Sequence, residues 1–542
     1  MKMKKLNKKT KILIVTGGVF SSLGKGVACS SIGTLLKYIG YKTVNMKFDP
    51  YLNVDAGTMS PLQHGEVFVT RDGHETDLDI GNYERFLNID LNKDTNITAG
   101  RVYYDVLNGE RDGEFLGSTI QVVPHITGCI VSKMIKVSNE YDADFLVVEV
   151  GGTIGDIESI PFVEACRQIH AEYKDRVVFL HTVPLIELLT SKEEKTKPLQ
   201  HSVRELMHLG VTPHFLMIRS KKEMTQKTKE KISLTTGIEL KNIFSLTNQE
   251  HIYFLPESLL NQKLHERILE KFNMTPISNS NSLGRWSEFT KKILSPKKYK
   301  ANIALIGKYV EIPDAYLSVT NSLELSSFYL ETELKIDMID STDINESNVY
   351  LLKKYDGILI PGGFGERGIE GMLLAIKYAR ENNVPYFGIC LGMQLATIEY
   401  ARNVLGWKDA NSTEFNKWTN FPVIDIIAGK NDDKNLGGTL RLGDYECALK
   451  LNSIAQKCYQ KDVILERHRH RYEFNNKYKN EFESKGFVFS GINLEKNLVE
   501  IIELPNHRFF IGCQFHPEFT SKTLRPNPIF LNFVNFSKKR MN

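Results

Sequence analysis

No stretch of the 542 residues approaches the roughly 18 consecutive apolar positions that a membrane-spanning helix needs. Cysteine is sparse and unpaired. Its seven residues (29, 129, 166, 390, 447, 458, 513) are odd in number and never form C-x-x-C. That excludes a disulfide framework and a zinc ribbon, and fits the reduced thiols of a cytoplasmic protein. Charge of one sign is missing too. The 69 Lys+Arg against 65 Asp+Glu leave only +4, and six lysines fall within the first eleven residues. A near-neutral chain with one short basic tail points to neither nucleic acid nor membrane as a partner. No apolar segment follows that tail, so no secretory signal is expected. Internal repeats and low-complexity tracts are also lacking. What remains, 42% apolar and 25% charged residues, is ordinary globular composition over a length that suggests two or three domains.

Strand-like and helix-like segments alternate along the chain. Lys11–Val15, Thr43–Phe48, Asp144–Glu149, Val177–His181 and Phe215–Arg219 read as buried strands. Ile32, Leu35, Leu36 and Ile39 mark one face of a helix between the first two. The pattern restarts with Asn302–Ile306, Lys335–Ile339, Gly357–Ile360 and Tyr386–Ile389, with a helix carrying Ile369, Met372, Leu373 and Ile376. Between them, residues 274–300 are rich in Ser, Asn, Pro and Lys and read as a linker, with Trp286 pinning it. The expectation is two α/β domains, 1–273 and 301–542, each built on a parallel sheet.

In the second domain Gly388-Ile-Cys390-Leu-Gly392 follows a strand and precedes an apolar-periodic segment. G-x-C-x-G is the thiol form of a nucleophile elbow, in which small residues allow the sharp turn that lifts the nucleophile above the sheet. The helix after it offers backbone N–H groups and a positive dipole end to an anion. Pro361-Gly-Gly-Phe-Gly365 ends the preceding strand, and Gly512-Cys-Gln-Phe-His516-Pro-Glu518 places a His and a Glu two residues apart. Cys390, His516 and Glu518 thus have the order of nucleophile, base and orienting carboxylate.

On these three motifs, residues 300–537 resemble the class I glutamine amidotransferases. The resemblance implies that Cys390 attacks the glutamine carboxamide, His516 protonates the departing ammonia and Glu518 orients His516. It implies glutamine contacts at Gly363, Leu391, Gly392, Met393, Gln394, Glu414 and Arg471, with the amides of Gly363 and Leu391 as oxyanion donors. Glu414 would meet the substrate ammonium and Arg471 its carboxylate.

The first domain carries Thr16-Gly-Gly18-Val-Phe-Ser-Ser-Leu-Gly24-Lys25-Gly26 after its first strand. It departs from the phosphate-loop pattern in having five residues between Gly18 and Gly24, and Gly26 in place of Ser/Thr. The backbone cradle and the lysine survive, so polyphosphate binding at a helix N-terminus is expected. Without the hydroxyl, Mg²⁺ must be held elsewhere, and Asp77, Asp79 and the strand-end Glu149 are the candidates.

Lys47-Phe-Asp-Pro-Tyr51, Gly57–Glu66, Gly151–Glu158 and Lys195–Ser202 complete the pattern, and from near residue 10 onward the chain resembles the CTP synthase family. That resemblance implies a P-loop-like amidoligase domain joined by a linker to the amidotransferase. It implies the reaction UTP + ATP + glutamine → CTP + ADP + phosphate + glutamate, by phosphorylation of the uracil 4-oxygen and displacement by ammonia. ATP would meet Ser22, Leu23, Gly24, Lys25, Gly26, Val27, Lys47 and Asp79, and also Thr247, Asn248 and Gln249, which depart from the family's acidic wording there. UTP or the inhibitor CTP would meet Ser21, Asp156, Ile157, Glu158, Lys195, Thr196, Lys197, Pro198, Leu199, Gln200 and Lys231. Asp79 and Glu149 would hold Mg²⁺, and His64 would serve as an ammonia gate or a nucleotide contact. GTP as activator, a homotetramer and possible filaments are further implications. A cobyrinic-acid type amidoligase is the alternative, and Lys195–Ser202 and Gly57–Glu66 argue against it. A filament-forming homologue with decayed sites is the rival from another class, and the intact Cys390/His516/Glu518 set and Lys25 argue against it.

Overall fold

The computed structural model describes residues 5–21, 23–187, 194–277, 283–426 and 440–541. Ser22, expected at the ATP phosphates, lies outside the described residues. Contacts divide the chain into two units, one running to Ala56 and from Asp79 to Thr290, the other from Gly57 to Leu78 and from Lys291 onward.

The first unit is built on seven strands, β1 (Lys11–Gly17), β2 (Thr43–Asp49), β3 (Asn96–Thr98), β4 (Phe145–Val150), β5 (Val177–Pro184), β6 (Phe215–Ser220) and β7 (Ile243–Thr247). They pair in the order β7-β6-β5-β1-β4-β2-β3, and every pair is parallel. The uninterrupted apolar runs of β1 and β4 follow from this, since helices cover both faces of such a sheet. The chain leaves β1 through the glycine-rich loop into α1 (Lys25–Tyr38). In register, Val15 stands beside Glu149 on one side and Leu180 on the other. The loop, Glu149 and the end of β5 therefore share the carboxyl edge of the sheet, where ligands of open α/β sheets bind. Two further helices serve this edge, α2 (Leu78–Leu87), with Asp79 in its first turn, and α3 (Lys197–His208).

Residues 274–300 are more ordered than their composition predicts. They contain α4 (Arg285–Leu294), whose Trp286 and Phe289 are buried against Tyr253. The Trp286 indole also meets Phe86 and donates to the Tyr253 carbonyl at 3.1 Å. Two aromatic residues three apart on one helix face were too few to reveal the helix by periodicity. The next strand, β8, begins at Tyr299.

That unit holds β8 (Tyr299–Gly307), β9 (Thr332–Asp340), β10 (Gly357–Ile360), β11 (Tyr386–Ile389), β12 (Arg441–Leu449), β13 (Val463–His470), β14 (Val488–Asn493), β15 (Leu498–Glu503), β16 (Phe510–Cys513) and β17 (Lys539–Arg540). The order is β9-β8-β10-β11-β16-β15-β14-β12-β13, with β17 paired to β8. The run from β9 to β16 is parallel, and the remainder extends it antiparallel. Helices α5 (Ile369–Glu381) and α6 (Leu391–Asn403) follow β10 and β11.

Residues 57–78 fall within the expected domain 1–273, yet they belong by contact to the second unit. The excursion contains a short antiparallel pair, Phe68–Val69 with Glu75–Thr76. Arg467 donates to the Val69 carbonyl at 3.0 Å, and Arg469 pairs with Glu75 at 2.7 Å. Glu66 accepts from the Ser318 amide at 3.0 Å and from its hydroxyl at 2.5 Å. Phe68 meets Phe519 edge-on at 5.0 Å between ring centroids.

Candidate active sites

The thiol site is made by a break in an otherwise regular strand–helix step. Cys390 follows β11 with φ 51° and ψ −98°, a left-handed-side backbone that a non-glycine residue adopts only when its surroundings hold it there. The Cys390 amide donates to the Cys513 carbonyl of β16 at 2.7 Å, and α6 starts at the next residue. Three residues beyond β16, His516 is placed by its own amide, which donates to the Arg467 carbonyl at 2.7 Å. His516 Nδ1 is 2.7 Å from Glu518 Oε1, and its ring stacks on Phe519 at 5.0 Å. Cys390, His516 and Glu518 are all buried, at 4%, 7% and 3% exposed. Burial opposes a charge on His516, but the Glu518 carboxylate and the Cys390 sulfur outweigh it and raise its pKa to about 10. The imidazole therefore holds a proton at neutral pH, as the donor to a leaving amine must.

Gly362 passes against this pair, and a Cβ there would lie 2.8 Å from His516 Cε1 and 3.6 Å from Cys390 Cβ. Gly362→Ala should displace the imidazole and slow glutamine hydrolysis by about a hundredfold, the usual cost of a ~1 Å misplacement. Steady-state hydrolysis checks this, and a wild-type rate would mean the ring tolerates the shift.

A cavity of about 70 Å³ opens beside the triad, with Pro61, Val67, Tyr316, Val319, Phe364 and Arg469 among its walls. The glutamine contacts implied by resemblance are placed unequally around it. Gly363 lines the cavity, and Leu391 and Met393 are buried in the core, which leaves only their backbone amides for a ligand. Glu414 accepts from the Gly365 amide at 2.8 Å, and burial raises its pKa despite Lys308 and Arg471 nearby. Gln394 spends its amide on the Tyr472 carbonyl and Gln514, at 3.0 and 3.3 Å. Sequence reasoning missed Lys308, which donates to the Phe364 and Gly365 carbonyls and whose pKa burial lowers to about 8. It also missed Gln514, although that residue lies inside the Gly512–Glu518 motif.

In the first unit, Gly24 caps α1 at φ 81° and Lys25 begins the helix. Lys25 Nζ donates to the Gly152 carbonyl, and burial lowers its pKa. Lys47 bonds Asp79 and lies 3.5 Å from Asp49. Glu149 accepts from the Tyr83 hydroxyl, and burial followed by the charge of Asp79 raises its pKa to about 7. A Cβ on Gly26 would collide with the Asp79 carboxyl, which explains why Ser/Thr is absent from that position. A buried Glu149 whose proton affinity the Asp79 carboxylate raises fits a cation, and the hard oxygens of the two suit Mg²⁺. Asp77 instead lies 3.4 Å from His64 in the second unit.

The expected UTP/CTP residues take mixed environments. Lys195 precedes the α3 N-terminus, where Pro198 sits in the first turn. Thr196 and Leu199 are buried, Gln200 donates to Thr196 Oγ1 at 3.0 Å, and Lys197 and Lys231 are exposed. Ser21, Asp156, Ile157 and Glu158 are exposed. Thr247 ends β7, and Gln249 folds back to its hydroxyl at 2.9 Å, while Asn248 is exposed. Sequence reasoning also missed His181, whose ring links Thr16 (2.8 Å) before the loop to Ser202 (2.9 Å) on α3. Burial and then the charge of Lys25 lower the His181 pKa to about 3, so it stays neutral.

Residues 311–536 match the class I glutamine amidotransferase family, which is the class that the elbow and triad define. Residues 11–274 match the family described as CTP synthase N-terminus. A CTP synthase of Mycoplasma capricolum is 52% identical over 526 residues, covering 97% of this chain and 98% of its own. The Bacillus subtilis CTP synthase is 47% identical over 535 residues, covering 98% and 99%. The chain belongs to the CTP synthase family. Among solved structures, the Trypanosoma brucei CTPS glutaminase domain with bound acivicin is 38% identical, covers 44% of this chain and 93% of its own, and has a TM-score of 0.42.

Proposed function

We propose that this protein converts UTP to CTP with ATP and with ammonia taken from L-glutamine. The carrying observation is that a CTP synthase matches 97% of a chain in which Cys390, His516 and Glu518 are buried and Lys25 stands at the start of the helix after a glycine-rich loop. The match of residues 11–274 disfavours the cobyrinic-acid alternative. Cys390 attacks the carboxamide carbon as the C=O electrons move to oxygen, which the Gly363 and Leu391 amides receive. His516 gives its proton to the departing nitrogen, and water then frees glutamate from the thioester. Ammonia leaves through the cavity walled by Pro61 and Val67.

In the first unit, Lys25 and Lys47 neutralise the phosphoryl group as it passes from ATP to the uracil 4-oxygen, and ammonia then displaces phosphate. Asp79 and Glu149 would hold Mg²⁺, which when bound spreads the charge of the phosphate oxygens. The α3 N-terminus with Lys195 and Gln200 suits the triphosphate of UTP or of inhibitory CTP. No helix among the described residues is long and apolar enough to cross a membrane. The decisive experiment follows CTP formation from UTP, ATP and glutamine, then repeats it with an ammonium salt. Failure with both nitrogen sources would overturn the assignment.

GTP activation is assigned to the loop after β10. Arg367 is held there by the Lys308 carbonyl and lies 3.5 Å from Asp340, with its side chain half exposed. Arg367→Ala should blunt GTP stimulation of glutamine hydrolysis and leave ammonia-dependent synthesis near wild type. Superimposable GTP titrations of the two proteins would return Arg367 to a purely structural role.

A further inference from the structure

The residue before Phe515 in the His-Pro-Glu motif is Gln514, fully buried and unused by the mechanism above. Its Nε2 lies 3.6 Å from Cys390 Sγ. Which end of an amide faces a neighbour must be settled by the surrounding hydrogen bonds, and here they settle it. The Tyr472 carbonyl can only accept, so the group 3.0 Å from it on Gln394 must be the NH₂. That same NH₂ lies 3.3 Å from Gln514 and needs an acceptor there, which fixes Gln514 Oε1 toward Gln394. The remaining end of Gln514, its NH₂, is left facing the sulfur. The Gln514 amide N–H donates to the Glu500 carbonyl at 2.8 Å, which anchors the main chain beneath.

We propose that Gln514 is a catalytic residue of glutamine hydrolysis, donating a hydrogen bond to the ionised Cys390 sulfur, and that Gln394 is the positioning residue that fixes its orientation. The inference rests on Cys390 being the nucleophile. A donor there stabilises the negative charge that the sulfur carries as it attacks, with no proton lost from Gln514. When the S–C bond forms, negative charge moves from sulfur to the carboxamide oxygen, and the contact reverts to a weak neutral one.

Hydrogen bonds to a charged group are stronger than neutral ones, so removing the donor should slow attack by the sulfur. Part of this is returned because a less stabilised sulfur is intrinsically more nucleophilic. Gln514→Met keeps the volume without the donor and should slow alkylation of Cys390 by iodoacetamide about threefold to tenfold at neutral pH. Gln514→Glu sets a carboxylate against the sulfur and should slow it further. Gln394→Glu offers an acceptor where the NH₂ stood, turns the Gln514 amide over, and should slow it as well with residue 514 intact. The measurement is mass-spectrometric alkylation of the Cys390 peptide in the full-length protein, with near-ultraviolet circular dichroism showing a native fold. Wild-type alkylation rates in folded Gln514→Met, or in Gln394→Glu, would overturn the proposal. If complete alkylation of wild-type Cys390 left glutamine hydrolysis intact, the nucleophile assignment itself would fail instead.

Discussion

Cys390→Ala is expected to reduce glutamine-driven CTP formation by about a thousandfold or more, the scale of losing a nucleophile from a concerted triad. With an ammonium salt the same variant should form CTP at close to the wild-type rate. The thiol does one thing in this scheme, liberating ammonia, and the phosphate chemistry draws on residues of the other unit. His516 would keep its contact with Glu518 at 2.7 Å, so the site should remain assembled around the missing sulfur. Initial rates with each nitrogen source make the comparison. Substantial glutamine-driven turnover in the variant would remove Cys390 from the mechanism.

Lys25→Ala should lose both reactions together. Phosphorylation of UTP precedes amination whatever supplies the nitrogen, so ammonium cannot rescue it. Lys25 is tethered to the Gly152 carbonyl, and a polyphosphate would replace that neutral acceptor by charged oxygens. Losing one cation from a transferring phosphoryl typically costs ~3 kcal/mol, about a hundredfold in rate. Glutamine hydrolysis alone, measured as glutamate release, should persist. Ammonia-dependent synthesis near wild type would place the phosphate site elsewhere.

The parts that were legible in the sequence are those specified over short stretches of chain. Gly357–Ile360 and Tyr386–Ile389 form strands over the expected residues, because a compact apolar run bounded by turns has one good solution in a covered sheet. The turn at Cys390 and the His516–Glu518 contact were legible because each lies in a motif whose local geometry is encoded within a few residues. Pairings that span the chain left no local trace. Arg467 and Val69 are 398 residues apart, and Arg469 and Glu75 are 394 apart. Glu66 reaches Ser318 across 252. In sequence, the run Glu466–Tyr472 looks like a basic surface loop, and nothing within it says that Arg467 is almost wholly buried. Gln394 was placed by motif position at the substrate, while its side-chain direction depended on Tyr472 and Gln514, which periodicity cannot see.

The membership of residues 57–78 in the second unit bears on how the protein can be taken apart. A gene cut within the linker would look clean on a sequence map, yet the fragment starting at Lys291 would leave Glu66, Val67, Val69 and Glu75 on the other piece. Arg469 would lose its carboxylate, Arg467 its Val69 carbonyl and Ser318 its Glu66 acceptor. Such a fragment would lack one wall of the cavity beside Cys390, that formed by Pro61, Glu66 and Val67. The glutaminase half is thus a mosaic of two genetic segments, and a separately expressed half is best tested by adding back a peptide spanning residues 57–78.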